Sequence, residues 1–276
     1  MVRTKKPVKS QRGVQSAEIA LGLLRVLVDA GKSMMLRDLA AGARMPAAKA
    51  HRYLVSLARE GLVEQDGTGG RYDLGPYALD LALACLARLD HVRVASGALE
   101  ELCRRVDETV VLAVWGNQGP VFVRWEEAPH PVATNVRVGS VVPVLSSASG
   151  RIFAAFLAAE VVNPFIEQEL KQSAHSARAG ALHSRAKVDA MLAEVRRARL
   201  ARVAGDLLTG VNAISVPVFD HRGRVVLAIT AIGDERRFDA SPQGTVARVL
   251  RETAVSVSRR IGYREDQREQ VHSGKS

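Results

Sequence analysis

The side chains able to exchange protons, attack carbon or hold metal are scattered through this chain. Its seven histidines, His51, His91, His130, His175, His183, His221 and His272, include no His-Glu-x-x-His pair, and no Gly-x-Ser-x-Gly, phosphate-loop or dinucleotide glycine pattern occurs. Ser146, Ser147 and Ser149 have no histidine close in sequence to activate them. The two cysteines, Cys85 and Cys103, exclude a four-thiolate zinc site and a disulfide framework. Both fall in apolar helical runs, where cysteine acts as a small buried hydrophobe. No catalytic residue, metal ligand or cofactor is expected, and an enzyme is the weakest of the possible function classes. One feature suits binding rather than reaction: Ser149-Gly150 opens a helix, and a helix start presents amide donors to an anion.

Charge points to a different chemistry. Among 276 residues, 39 Lys and Arg stand against 29 Asp and Glu, a formal +10, while 47% hydrophobic content is ordinary for a chain that buries a core. Residues 1–75 hold 13 of the basic and 7 of the acidic side chains, so the first quarter carries most of the positive field. Nucleic acid ranks ahead of an anionic membrane as the partner of such a field. Within it, a helix from Pro46 to Glu60 places Ala50, Leu54, Leu57 and Ala58 on one side and Ala47, Lys49, Arg52, Tyr53, Ser56 and Arg59 on the other. A positive, hydrogen-bonding face with small residues at its start can enter the major groove, where Arg and Lys donate to guanine edges or phosphates.

The elements that must position this face follow from the same patterning. Ile19, Leu23, Val26, Leu27 and Ala30 recur at helical spacing up to Gly31, and Leu36, Leu39, Ala40 and Ala43 mark a short second helix over 35–43. Pro46 opens the third helix and Gly61 stops it. Residues 62–65 and 71–74 then flank Asp66-Gly67-Thr68-Gly69-Gly70, a hairpin that brings Arg71 toward the DNA backbone or minor groove. This order is that of a winged helix-turn-helix. It is preceded by a basic, acid-free arm over 1–12, containing Arg12, that is expected to be disordered.

The run 77–89 is apolar almost all round, with only Asp80 and Arg88 charged, so it predicts a helix buried against a second subunit. It is too short for a membrane span, which takes about 20 residues. The basic start is not followed by a clean apolar stretch, because Glu18, Arg25 and Asp29 interrupt it, and the expected location is the cytoplasm. Beyond a helix ending near Val106 the pattern turns to strands, with antiparallel hairpins at 109–115 with 121–125 and at 213–219 with 224–232. A further extended run is expected at 141–145, helices near 149–158, 161–172 and 184–199, and a final helix over 246–261. The class is α+β with a mostly antiparallel sheet.

Val14-Gln15-Ser16, Leu36-x-x-Leu39-Ala40, Met45-Pro46 to His51-Arg52-x-Leu54, Glu60-Gly61-Leu62-Val63 and Arg71-Tyr72-x-Leu74-Gly75-Pro76 resemble the N-terminal domain of the isocitrate lyase regulator (IclR) family. The second half agrees, through Gly139-x-x-x-Pro143, Ser147-Ala148-Ser149-Gly150-Arg151 and the run from Gly210 to Val218. The resemblance implies a one-component transcription regulator, here expected to be a repressor, that pairs the winged helix with a GAF-like effector-binding domain. It also implies dimerisation through the DNA-binding half and linker helix, tetramers through the sensing half, and a palindromic operator.

The division expected is 1–12 arm, 13–75 winged helix-turn-helix, 76–90 linker helix, 91–264 effector domain and 265–276 charged tail. DNA contacts are expected from Arg12, Ala47, Lys49, Arg52, Ser56 and Arg71. By resemblance the effector pocket is lined by Ala148, Ser149, Gly150, Val211, Ala213, Thr230 and Ile232, with Asp206 near it. Ala48 and Lys49 stand where the family usually has small hydroxyl residues, Ile19 where it often has Arg, and Ala213 where Cys is common. The expected effector is a small organic acid with an apolar or aromatic body. The alternative within DNA binding is a constitutive oligomer whose second domain senses nothing.

Overall fold

The computed structural model describes residues 13–87, 90–130, 132, 135–173, 184–205 and 207–265. The expected arm with Arg12, the tail beyond 265 and Asp206 lie outside the described residues. The chain divides into two compact units, Met1–Leu89 and Asp90–Ser276. Among the described residues no helix is long and apolar enough to cross a membrane.

In the first unit, α1 (Gln15–Ala30), α2 (Leu36–Gly42) and α3 (Ala47–Arg59) draw most of their stability from packing on one another, α2 being far too short to persist alone in water. They hold one another through fully buried Leu23, Leu39, Ala50 and Leu54, with Leu27 and Leu57 beside them. Gly61 ends the third helix with φ +67°, a left-handed conformation that glycine adopts without a Cβ penalty. The chain then forms β1 (Val63–Gln65) and β2 (Tyr72–Leu74), antiparallel with Gln65 opposite Tyr72, and Met34 bridges to Tyr72 as a third short rung. Buried Val63 and Tyr72 pin this wing to the helices. Ala58, expected in the buried stripe, is exposed, because the side of α3 that meets α1, α2 and the wing is centred on Ala50, Leu54 and Leu57. Helix α4 (Pro76–Ala87) leaves Tyr77, Leu79, Leu81 and Leu83 47%, 61%, 48% and 54% exposed, an apolar surface that nothing described in the chain covers.

In the second unit, α5 (His91–Val106) is capped by the Asp90 carboxylate, which accepts from Arg93 N–H. The chain continues as β3 (Thr109–Gly116), β4 (Gly119–Glu126), α6 (Ala148–Phe156), α7 (Ala159–Ser173), α8 (Arg185–Ala198), β5 (Ala201–Ala204), β6 (Val211–Phe219), β7 (Val225–Asp234) and α9 (Thr245–Arg260). The five strands form one antiparallel sheet in the order β4-β3-β7-β6-β5. Both expected hairpins are present, and β3 pairing with β7 joins them at the centre. Helix α6 packs against β4, β5, β6 and β7, while α5 and α9 pack on one another and on strands of the same sheet. Burial on both faces explains why β6 shows no in-out alternation, every residue from Ala213 to Phe219 being buried and Ser215 alone among them polar.

Two local expectations are corrected. Residues 141–145 are not a strand: only Val141 bridges, to Val121, after which side chains take the backbone groups a ladder would need. Ser147 Oγ donates to Pro143 O at 2.5 Å, and the Glu169 carboxylate accepts from the Val144 and Leu145 amides. The short strand β5 has no counterpart in the sequence pattern. Its in-out alternation, Ala201 and Val203 buried and Arg202 and Ala204 exposed, spans too few residues to stand out.

Candidate DNA interface and candidate effector cavity

The recognition face is built by burying the other side of α3. With Ala50, Leu54 and Leu57 inward, Ala47, Arg52, Ser56 and Arg59 are exposed and Lys49 and Tyr53 half-buried. The helix has no acidic residue in its first turn and no side-chain cap on its N-terminal amides, so its positive dipole end faces outward unneutralised. Such an end favours a phosphate. Ser56 Oγ donates to Arg52 O at 3.3 Å and keeps its lone pairs for an incoming donor. Arg71 Nη1 donates to Ser33 O at 3.2 Å, bracing the wing against the segment that precedes α2.

Two further residues belong to this surface. His51 Nδ1 lies 3.2 Å from the Tyr72 hydroxyl and ties the middle of α3 to the wing strand, a pairing between distant positions that no local pattern shows. Arg44, exposed in the turn before α3, holds φ +53°. A non-glycine residue there costs about 1–2 kcal/mol. The turn is fixed by Met45 N–H donating to Ala40 O at 3.0 Å. A basic residue immediately before Met45-Pro46 was the available signal.

In the second unit, the start of α6 faces β6 and β7 across a narrow cavity of about 40 Å³. Ala148, Ser149, Val211, Ala213, Thr230 and Ile232 all line it, joined by Phe122, Trp125, Val136, Ser147, Val203, Leu207 and Leu208. Gly150 does not. A Cβ there would stand 2.2 Å from Pro143 O and 2.6 Å from Val144 Cα, so glycine lets the first turn of α6 press against the preceding backbone. Ser147 caps the helix, its Oγ accepting from Gly150 N–H at 2.9 Å, and its carbonyl accepts from Arg151 N–H. The amides of Ala148 and Ser149 are left without a partner among the described residues. Arg151 is committed elsewhere, donating to Leu145 O at 2.7 Å and to Arg202 O at 2.6 Å.

A line of hydroxyls starts at Ser149 and Thr230 on the cavity wall and runs behind it to Ser215, which does not line the cavity. Ser149 Oγ lies 2.7 Å from Thr230 Oγ1, which donates to Ser215 Oγ at 2.8 Å, which donates in turn to Ile229 O at 3.4 Å. All three hydroxyls are buried. Because Thr230 gives its single proton to Ser215, Ser149 must give its own to Thr230. Sequence reasoning missed Ser215, although residues 211, 213 and 215 share one face of a strand. Behind the helix start, Glu169 takes Val144 N–H at 2.5 Å and Leu145 N–H at 2.8 Å. Burial pushes its carboxyl above the ordinary value of 4.5, and the two amides offset that only in part.

Comparison with known proteins supplies the family. A model of the bacterial transcriptional regulator IclR C-terminal domain matches residues 83–259, and one of the IclR helix-turn-helix domain matches residues 16–67. The chain belongs to the IclR family. The crystal structure of Pseudomonas aeruginosa HmgR superposes with a TM-score of 0.84 at 38% sequence identity, covering 91% of this chain and 100% of that one. The glycerol operon regulatory protein of Streptomyces griseus is 29% identical over 257 residues, 91% of this chain and 98% of its own. An IclR homologue from Microbacterium hydrocarbonoxydans, solved as a complex with 4-hydroxybenzoate, shares the fold with a TM-score of 0.54 at 23% identity, covering 89% of this chain and 98% of that one. As an IclR-family protein, the chain is a DNA-binding transcriptional regulator with an effector-binding second half, and not an enzyme.

Proposed function

We propose that this IclR-family protein is a repressor that reads a two-fold operator through α3 and the wing and releases it when a small organic acid with an aromatic or apolar body enters the cavity under α6. Lys49, Arg52 and Ser56 meet the major groove, the start of α3 at Ala47 approaches a phosphate, and Arg71 and the basic arm with Arg12 engage the backbone. The exposed leucines of α4 close a dimer, which presents two recognition helices to two half-sites.

The observation that carries the effector assignment is the pair of unpartnered amides, Ala148 and Ser149, at the end of an otherwise apolar cavity. Amides at a helix N-terminus suit a carboxylate, and Val211, Ala213, Ile232 and Trp125 suit a hydrocarbon ring. The 4-hydroxybenzoate held by the Microbacterium homologue has this make-up. Both tryptophans of the chain, Trp115 and Trp125, lie on the β3–β4 hairpin and Trp125 lines the cavity, so ligand entry is measurable by fluorescence. A panel of benzoates, phenylacetates and short aliphatic acids is titrated in Trp115→Phe protein and in gel shifts. An aromatic acid should change Trp125 emission and weaken operator binding, and Ala213→Phe, which fills the cavity, should abolish both responses. A response that survives in folded Ala213→Phe protein would place the effector elsewhere.

A further inference from the structure

The second unit contains a much larger cavity that the effector assignment does not use. It opens beside β6 beyond the point where β5 begins to pair, Ala201 standing opposite Ser215, and its volume is about 700 Å³. Here the last turns of α8 and α9 converge with the segment after α9. Arg197, Arg199, Arg251, Arg259 and Arg264 line it against a single carboxylate, Glu265. Basic residues at helix C-termini commonly offset the helix dipole. That explains their presence on each helix, but not the convergence of two such ends on one concavity.

The arginines differ in how they are held. Arg199 pairs with Glu265, lies with its guanidinium carbon 5.9 Å from the Phe219 ring centre, and keeps φ +47°, a left-handed conformation unusual for arginine. Arg251 donates to Pro242 O at 2.7 Å. Arg197 and Arg259 meet no acidic partner among the described residues. The sheet edge supplies little: Pro217 has no N–H, and Phe219 N–H is taken by Ser258 Oγ at 3.1 Å. The donors facing this space are therefore guanidinium groups. Tyr263 also lines the cavity, is 8% exposed, and has a buried hydroxyl without a hydrogen-bond partner among the described residues. A buried phenol oxygen left unpaired is costly, and native proteins rarely carry one without a use.

We propose that this cavity is a second ligand site, separate from the one under α6, and that it takes a small polyanion carrying two or more phosphate or carboxylate groups. Guanidinium forks match both groups with paired hydrogen bonds. The volume falls within the range of about 300–1,000 Å³ found for small-molecule sites, and a concave wall does not follow a DNA backbone. Strand β6 runs from the effector cavity at Val211 and Ala213 to this one at Val216 and Phe219, so both sites rest on the same backbone.

Calorimetric titration of the full chain with inorganic tripolyphosphate and with citrate tests the site and distinguishes its two chemistries. The Arg197→Ala/Arg259→Ala protein removes two exposed side chains, and its unfolding midpoint, followed by tryptophan fluorescence, verifies that it folds. At least one probe should bind at one equivalent, weaken about tenfold or more in this variant, and bind unchanged in Lys49→Ala/Arg52→Ala protein. Absence of binding by either probe at millimolar concentration overturns the proposal. So does a loss that follows the Lys49 and Arg52 changes instead, since the basic DNA-facing helix would then be the binding surface. A change of molecular mass in light scattering caused by Arg197→Ala/Arg259→Ala also overturns it, because the cavity wall would then be covered by a second copy of the chain.

Discussion

Replacing Thr230 by Val keeps the shape of a buried side chain and removes only the hydroxyl that joins Ser149 to Ser215. The two hydrogen bonds this breaks are 2.7 Å and 2.8 Å long and join buried residues. Ser215 still donates to Ile229 O and loses a donor to its own oxygen, a small effect. Ser149 loses its acceptor, and a buried donor left unpaired costs about 1–3 kcal/mol. With a urea slope of about 2 kcal/mol/M, a loss of about 2 kcal/mol moves the unfolding midpoint down by about 1 M. Tryptophan fluorescence reads this for the second unit alone, since Trp115 and Trp125 are the only two tryptophans. Ser149→Ala removes the same unpaired donor from the other side. Adding it to Thr230→Val should therefore cost clearly less than the sum of the single changes, with a coupling of about 1 kcal/mol. Additive single changes, or a Thr230→Val midpoint within about 0.2 M of the parent, would refute the hydroxyl chain behind the cavity wall.

Arg52→Ala should weaken operator binding by about 1–3 kcal/mol if its guanidinium meets a base edge, as gel shifts on specific and scrambled DNA would show. Deleting 1–12 should mainly flatten the dependence of affinity on salt, because arm charges release counterions without reading bases. Leu79→Glu with Leu83→Glu on α4 should lower the mass measured by light scattering and the operator affinity together, since a monomer holds one half-site. Glu169→Gln should lose stability by about 1–3 kcal/mol, because an amide nitrogen would face one of the two backbone donors. Its raised folded pKa sets the sign of the pH effect. The wild-type carboxyl contributes fully below its ordinary value of 4.5, and that contribution is lost as pH rises through the folded value. The stability gap between wild type and variant in urea unfolding should thus be largest at low pH and narrow toward neutrality.

Much of this was legible in the sequence wherever a repeating pattern decided the structure. Leu23 and Leu27, Leu54 and Leu57, and the two long hairpins are patterns of period 3.6 or 2 backed by glycine and proline stops, and each appears where the spacing placed it. The misses share a cause. Residues 141–145 are rich in valine and read as a strand, but Ser147 and Glu169, the latter far along the chain, claimed their backbone groups first. Ala58 satisfied helical spacing, yet α1, α2 and the wing cover the side centred on Leu54 and Leu57 and leave it exposed. Gly150 carries the family pattern, but it stands at a backbone contact and not on the cavity wall. Ser215 and Tyr263 gave no local signal, since a buried serine or tyrosine becomes informative only once its neighbours are known.

The size of the effector cavity bears directly on how sensing would work. At about 40 Å³ it has room for only a few water molecules, against about 300–1,000 Å³ for most ligand sites. An aromatic acid therefore cannot enter without moving a wall. Val211 and Ile232 are held by the pairing of β6 with β7, whereas Val136, Leu207 and Leu208, equally half-buried, lie outside regular elements. Those three side chains are the part that can give. If the open form is a minor species, apparent affinity falls by its fractional population, and the ligand's preference for the open form is what shifts the equilibrium. Enlarging the space without a ligand should then imitate it. Leu207→Ala should bind the aromatic acid more tightly than wild type and, in gel shifts without ligand, bind the operator more weakly. Tighter acid binding with unchanged operator affinity would separate cavity opening from DNA release and leave the second as a distinct step.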